Sequence, residues 1–430
     1  MKSDNSPARG TRDLLPSTVA ARDHVLAAIA GVYAGYGYQR IETPALEDIG
    51  RLTGGQGGEN EKLIFQVLRR GLPERAFTGT AVSDLVDLGL RFDLTVPLTR
   101  FYGHHQAALP LPFRSFQFGP VWRAERPQKG RYRQFYQCDI DLIGEASVLA
   151  EAELIEATTE ALAEIGLSGA TVRLSDRRFL SALAQQVGVP QEAWPAFFVG
   201  LDKLDKIGWS GVIAELVETK GLSAVAVAAA KEKIEALTGL AATKVADAVI
   251  EAVPGLPETV VEDLATTAGC LDALPTNRGV HFEFDPTLVR GMGYYTGQIF
   301  EISHPASPGS LAGGGRYDKL IGRSLGRDVP ACGFSIGFER IVDLLTTVPR
   351  REAVAVLFDT DVAVVDALAL ARRIRAEQRC VSVMRRNGKL PAQLGRLKGW
   401  SFTSFLHLRS GHGTTQIPEE CPLGSPATPC

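Results

Sequence analysis

FRSFQFGPVWRAERPQKGRYRQFYQCDIDLIGE, residues 113–145, decides the fold. Two runs within it, SFQFGPVWRAE and QFYQCDIDLIGE, interleave apolar and polar residues with a period of two, the pattern of half-buried β-strands. Only the short loop RPQKGRYR separates them. Parallel strands need a long crossover, so the spacing predicts an antiparallel pair and not a βαβ unit. Arg123 and Glu125 alternate along the first strand, and Gln137, Asp139 and Asp141 along the second. They are interleaved with Val121, Trp122, Phe135, Cys138 and Ile140. So many charges among aromatics read as a polar platform inside a cleft; an ordinary half-exposed sheet is the alternative. Four of the ten residues from Glu125 to Gln134 are basic, which fits either a phosphate clamp or a solvated hairpin tip.

Upstream, residues 17–38 repeat apolar side chains at helical spacing, with Ser17 in the N-cap position, and Tyr38 to Thr43 alternates as a strand. Arg51 to Asn60 is a glycine-rich loop. Arg91, Asp93 and Thr95 are expected on one face of a further strand. Downstream, residues 147–166 form an Ala/Glu/Leu-rich helix, and residues 176–268 read as an inserted helical domain. Strands resume at GVHFEFDPTLV and GQIFEIS. AGGGRYD (312–318) is not a nucleotide-binding P-loop, because no Gly-Lys-Ser/Thr follows. GFSIGFERIVDLL runs from strand into helix. After Pro349, VAVLFD, a helix and VSVMRR make a small β-α-β unit. The expected class is α+β, with a helical insertion and a small C-terminal α/β domain.

A chain of 430 residues is too long for one core. Lys plus Arg number 46 against 49 Asp plus Glu, so bulk charge says nothing of nucleic acid, and any such contact must come from local basic patches. No apolar run nears the roughly 20 residues a membrane span needs, and MKSDNSPARGTRDLLP has no signal-peptide core. The 6 Cys include no C-x-x-C pair and the 7 His no H-E-x-x-H. Reduced thiols in a cytoplasmic protein are therefore expected, with no metal held by protein ligands alone.

Taken together, these stretches resemble the class II aminoacyl-tRNA synthetases, and the histidyl-tRNA synthetase family in particular. GTRDLLP (10–16) with the helix before ETPALE looks like motif 1 of that class. FRSFQFGPVWRAERPQKGRYRQFYQCDIDLIGE looks like motif 2, and FSIGFERI (334–341) like motif 3. RGMGYYTG (290–297) and AGGGRYD look like the two histidine-specific motifs. The resemblance covers about residues 8–345 closely and the region after 350 loosely. It implies an antiparallel sheet flanked by helices, which binds L-histidine and ATP with Mg²⁺. The enzyme forms histidyl-adenylate and transfers histidine to the 3′ end of tRNA(His), as a homodimer through motif 1.

By that resemblance, Arg123 and Arg290 are the catalytic arginines at the α-phosphate. Arg340 meets the γ-phosphate, and Glu125 and Phe135 complete the ATP site. Asp93, Thr95 and Gln137 grip the amino and carboxylate end of histidine, and Asp141 with Tyr295 reads its imidazole nitrogens. Tyr294 and Tyr317 are neighbouring pocket residues. Two departures stand out. Gly293 occupies a position where many members carry Asp. From Lys398 onward the chain is rich in Ser, Gly, Thr and Pro and reads as a loosely ordered tail, 399–430, behind an anticodon-binding-like domain at 350–398. These departures leave open a relative that passes activated histidine to a small-molecule acceptor. A non-catalytic regulatory subunit of ATP phosphoribosyltransferase, which shares the core, is the other alternative.

Overall fold

The computed structural model describes residues 5–54, 60–72, 79–127, 132–275, 278–289, 294–345, 352–400, 402–410 and 417–423. It divides into two compact units, 1–346 and 347–430.

The first unit is built on an eight-stranded sheet. Its strands are β1 (Gln39–Ile41), β5 (Phe113–Trp122), β6 (Gln134–Ile143), β7 (Thr171–Asp176), β8 (His281–Phe284), β9 (Gln298–Ser303), β10 (Ala312–Arg316) and β11 (Ala331–Ile336), in the order β1-β5-β6-β11-β10-β9-β7-β8. The six central strands pair antiparallel, and β1 and β8 add parallel edges. A three-stranded sheet, β2 (Leu46–Asp48), β4 (Val86–Leu90) and β3 (Gln66–Leu68), stands apart.

The hairpin expected at 113–145 forms over ten paired positions, from Phe113–Ile143 to Trp122–Gln134. One face of the sheet is apolar. Phe116, Cys138, Ile140, Phe334 and Ile336 are buried there against α1 (Pro16–Gly35) and α4 (Leu149–Glu164). Helix α1 presents Val25, Ile29 and Tyr33 at helical spacing and buries them completely. Burying side chains of this size contributes about 1.5–3 kcal/mol each. Pro16 occupies the first turn, where a missing N–H costs nothing. The observed N-cap is Leu15, so Ser17, the expected cap, lies inside the helix.

Three further expectations are corrected. Arg91, Asp93 and Thr95 do not share a strand: β4 ends at Leu90, and Thr95 opens α3 (Thr95–His105). Buried Arg91 braces the structure instead, donating to the carbonyls of Pro120 at 2.9 Å and Thr43 at 2.6 Å. Local alternation could not reveal that these residues lie in a connection.

Residues 399–430 are not a loosely ordered tail throughout. The second unit is a four-stranded sheet of β12 (Ala353–Phe358), β13 (Cys380–Arg385), β14 (Ser404–Leu408) and β15 (Glu420–Pro422), in the order β13-β12-β14-β15. The short run SFLHL of β14 pairs in parallel with β12 along five positions and buries Leu406 and Leu408. Five residues are too few to show periodicity alone; the strand exists because β12 supplies its hydrogen bonds. Helices α13 (Val364–Ala376) and α14 (Leu390–Gly399) cover this sheet through two apolar clusters. Finally, Cys421 is disulfide-bonded, against the expectation of reduced thiols, whereas Cys138, Cys270, Cys332 and Cys380 are free.

Among the described residues, six α-helices lie between β7 and β8: α5 (Arg177–Gln186), α6 (Trp194–Leu201), α7 (Leu204–Ile213), α8 (Ala224–Leu237), α9 (Val245–Ala252) and α10 (Glu258–Asp272). Their buried Phe197, Val227 and Leu264 join the same apolar cluster as the main sheet. The short α2 (Ile49–Thr53), α11 (Asp318–Leu325) and α12 (Phe338–Leu344) complete the unit.

Candidate active site

The polar face of the sheet carries two adjoining cavities. The first, about 290 Å³, is lined by Asp93, Thr95, Asp139, Asp141, Tyr294, Tyr295 and Tyr317, among others. Glu125, Tyr132, Phe135, Glu339 and Arg340 line the second, of about 360 Å³. Arg123, Gln137, Gly313 and Ser335 line both, so one cleft has two lobes meeting at four residues.

Strand register explains the first lobe. Gln137, Asp139 and Asp141 sit two apart on β6, so they share a face. Ser335 of β11 pairs with Asp139, and Gly333 with Asp141. A Cβ at Gly333 would lie 2.1 Å from Asp141 Oδ1, so only glycine leaves the carboxylate its place. The Tyr317 hydroxyl, at the end of β10, donates to Asp141 Oδ1 at 2.5 Å. Asp141 Oδ2 is buried and has no hydrogen-bond partner among the described residues. On the opposite wall Asp93 accepts the Val96 backbone N–H at 3.1 Å, at the start of α3.

Burial raises the pKa of all three carboxylates in this lobe, and their mutual repulsion adds to the rise at Asp139 and Asp141. Burial first, opposed by the Tyr317 hydroxyl and reinforced by Asp93, pushes Asp141 up to about 7. Burial likewise raises Asp93 to about 6, partly offset by the Val96 N–H and the Arg123 charge. Asp139 is held well above the usual carboxylate range by burial and then by Asp141. A cation entering this lobe would favour all three ionised forms.

The second lobe carries two arginines, Arg123 and Arg340. Arg123 follows β5 directly. Its Nε donates to the Phe92 carbonyl at 3.1 Å, and its guanidinium carbon stands 4.9 Å from the Phe135 ring centroid. Arg340 lies in the first turn of α12, and its guanidinium donates to the Ser310 carbonyl. Glu339, its neighbour, is committed to ion pairs. It accepts from Arg12 and, at 2.6 Å, from Arg22 of α1, and takes the Tyr136 backbone N–H at 3.1 Å. The residue between Phe135 and Gln137 is thereby tied to α12. Arg12 also stacks 4.1 Å over Tyr132.

Every expected site residue within the described stretches lines one of the two lobes: Asp93, Thr95, Arg123, Gln137, Asp141, Tyr294, Tyr295 and Tyr317 the first, and Arg123, Glu125, Phe135, Gln137 and Arg340 the second. Arg290 and Gly293 lie outside the described residues. The Tyr317 hydroxyl is bonded to Asp141, and Tyr295 packs with Tyr294 at 4.3 Å between ring centroids. Sequence reading placed Asp139 on the polar face but assigned it no part in the site, and it passed over Ser335 and Glu339. Only the pairing of β6 with β11 and the docking of α12 against α1 bring them in.

Such an arrangement can bind a small zwitterion with a cationic end in one lobe and a polyphosphate in the other, with Arg123 at the junction. Comparison with known proteins agrees. A chain with this sheet order and cleft has the class II aminoacyl-tRNA synthetase fold. It superposes on a histidyl-tRNA synthetase from Nostoc sp. PCC 7120 with a TM-score of 0.78 at 26% identity, covering 95% of this chain and 92% of that one. An ATP phosphoribosyltransferase regulatory subunit/histidyl-tRNA synthetase from Bacillus halodurans shares the fold, with a TM-score of 0.77 at 23% identity and 95% and 99% coverage. The histidyl-tRNA synthetase family model matches residues 10–341, and the chain belongs to that family. A histidine–tRNA ligase of Leifsonia xyli is 50% identical over 415 residues, 94% of this chain and 95% of the relative. A probable histidine–tRNA ligase of Tropheryma whipplei is 45% identical over 350 residues, 79% and 80% of the respective chains.

Proposed function

We infer that this protein is a histidine–tRNA ligase. ATP and L-histidine react to histidyl-adenylate and pyrophosphate, and the activated histidine then passes to the 3′ end of tRNA(His). The observation that carries the reading is the meeting of an acid-lined lobe and an arginine-lined lobe at Arg123 and Gln137.

Histidine is assigned to the first lobe, with its carboxylate toward the junction. Gln137, Asp93 and Thr95 hold the amino-acid end. Asp141, flanked by Tyr317, Tyr294 and Tyr295, takes the imidazole. ATP is assigned to the second lobe, with its base against Phe135 and Glu125 and its γ-phosphate at Arg340. A carboxylate oxygen of histidine attacks the α-phosphorus, the bond to the bridging oxygen breaks, and pyrophosphate leaves with those electrons. No side chain need act as nucleophile, because the attacking group is already ionised. Catalysis lies in positioning and in guanidinium charge at the pentavalent phosphorus, from Arg123 and, by family correspondence, Arg290. A hydroxyl of the tRNA's terminal ribose then attacks the adenylate carbonyl and releases AMP.

Mg²⁺ fits as a passenger of the nucleotide. The second lobe offers Glu125 and Glu339 as carboxylates, and Glu339 is committed to Arg12 and Arg22. The ion would be held chiefly by the phosphates, whose charge it would help neutralise. We further propose a cytoplasmic homodimer joined through the motif 1 region, with residues 176–268 as an insertion domain and the C-terminal unit on the anticodon. The small-molecule-acceptor reading loses one of its two supports, since β14 and β15 complete the C-terminal sheet. Histidine-dependent ATP–pyrophosphate exchange followed by charging of tRNA(His) tests the assignment. Exchange without charging would refute the tRNA acceptor, and no exchange with histidine would refute the substrate.

A further inference from the structure

Gln137 lies at the junction of the two lobes, and a glutamine amide can face a ligand either as donor or as acceptor. Which end it presents decides whether it attracts an ammonium or a carboxylate. Its Nε2 donates to Asp139 Oδ2 at 3.1 Å and to the Ser335 hydroxyl oxygen at 3.3 Å. Ser335 in turn donates its hydroxyl to Asp139 Oδ1. Both oxygens of Asp139 are thus engaged, one by Ser335 and one by Gln137. The remaining group, Gln137 Oε1, is buried and has no partner among the described residues.

A buried acceptor with no donor is costly, so an N–H of a bound ligand is its natural complement. In its ionised form, which a bound cation favours, the Asp139 carboxylate can only accept, and that form turns the amide's NH₂ toward Asp139 and leaves its oxygen for the ligand. Asp139 is only 4% exposed and lies across the strand pairing from Ser335, so the orientation is built into the β6–β11 register.

We propose that Asp139 is a positioning residue which, with Ser335, fixes the amide of Gln137 as an acceptor for the α-ammonium of the amino-acid substrate. Asp139 need not touch that ammonium itself. The arriving cation stabilises the ionised carboxylate that orients the amide, so substrate and device favour the same state. An isosteric amide at position 139 breaks this logic. Its NH₂ can donate to Gln137 Oε1, turning the Gln137 NH₂ toward a positive group.

The inference rests on histidine being the substrate, and its test separates the two. Asp139→Asn is compared with the wild type in histidine-dependent ATP–pyrophosphate exchange. Two competing ligands are used: histidinol, which keeps the amine, and 3-(imidazol-4-yl)propanoate, which lacks it. Nucleotide affinity, measured alongside, reports whether the cleft is folded. Asp139→Asn should weaken histidine and histidinol by roughly 10–100-fold, the range for losing a hydrogen bond to a charged group. The des-amino compound should change by less than about threefold and ATP not at all. In a Gln137→Ala background Asp139→Asn should add nothing to this discrimination. Equal weakening of the aminated and des-amino ligands would overturn the proposal, as would unchanged histidine affinity. If Asp139→Asn fails to fold, Ser335→Ala tests the same device: a smaller selective loss for the aminated ligands supports it, and an equal loss for all three refutes it. A wild type with no histidine-dependent exchange would refute the substrate assignment instead.

Discussion

The two lobes of the cleft use opposite electrostatics and opposite degrees of burial. In the first, Asp139 and Asp141 are at most 4% exposed, and burial, reinforced by neighbouring carboxylates, shifts their carboxyls toward the neutral form. Arg123 and Arg340, in the second, are reached by solvent, and backbone carbonyls anchor them. A buried acid cluster selects: a ligand that supplies the missing positive charge and N–H groups is favoured, and a neutral one is penalised. Anchored guanidinium groups instead accept any phosphate and act on the charge that develops during reaction. On the proposed assignment, specificity and rate acceleration belong to different walls of one cavity, with Gln137 and Arg123 at the seam.

The largest expected effect removes the charge at the seam. Arg123→Ala should reduce the rate of ATP–pyrophosphate exchange by about 10²–10³-fold, by analogy with a lost oxyanion donor. Histidine affinity from equilibrium dialysis should change far less. Loss of histidine binding to the same degree would erase the division between lobes. Arg290→Ala carries the same expectation on family correspondence.

Next in size is Asp141→Ala. A ring N–H left unpaired in a desolvated lobe should cost roughly 1–3 kcal/mol of histidine binding, with ATP affinity near normal. A parallel loss of ATP binding would make Asp141 a structural residue of the sheet.

The elevated carboxyls make the first lobe pH-sensitive. Asp141 at about 7 and Asp93 at about 6 are neutral below those values, so histidine affinity should fall as pH drops from about 8 to 6. The sign for stability is opposite. Each of these groups holds its proton more tightly folded than unfolded, so its contribution is present below the unfolded pKa, about 4, and is lost as pH rises through the folded value. The substrate's own imidazole titrates in this window. The decisive measurement is therefore the difference between wild type and Asp141→Asn, which should shrink toward low pH. A constant difference would show that Asp141 does not titrate there.

Smallest in its effect on the cleft is a change in the second unit. Leu406→Ala in β14 empties a site that is 1% exposed and should destabilise that unit by about 2–5 kcal/mol, seen by thermal unfolding. Exchange should remain close to wild type while tRNA charging falls. An unchanged unfolding profile would mean that β14 contributes no core.

Much of the first lobe was legible because alternation along a strand is local: Gln137, Asp139 and Asp141 declare a shared face by spacing alone. Arg91, Asp93 and Thr95 show the same spacing, yet they lie in the connection between β4 and α3. The pattern of twos cannot tell a strand from a turn that leads into a helix.

Sequence alone determined the β5–β6 hairpin, the buried stripe of α1, the family and the residue types that line both lobes. Those features depend on periodicity and on long specific motifs, which near neighbours in the chain encode. Only tertiary structure decided the rest: that Ser335 faces Asp139 and orients Gln137, that Glu339 of α12 answers Arg12 and Arg22, and that five residues near the C-terminus complete a sheet. Each of those depends on a partner tens to hundreds of residues away, and a hydrogen bond or a strand pairing exists only once the chain has brought both halves together.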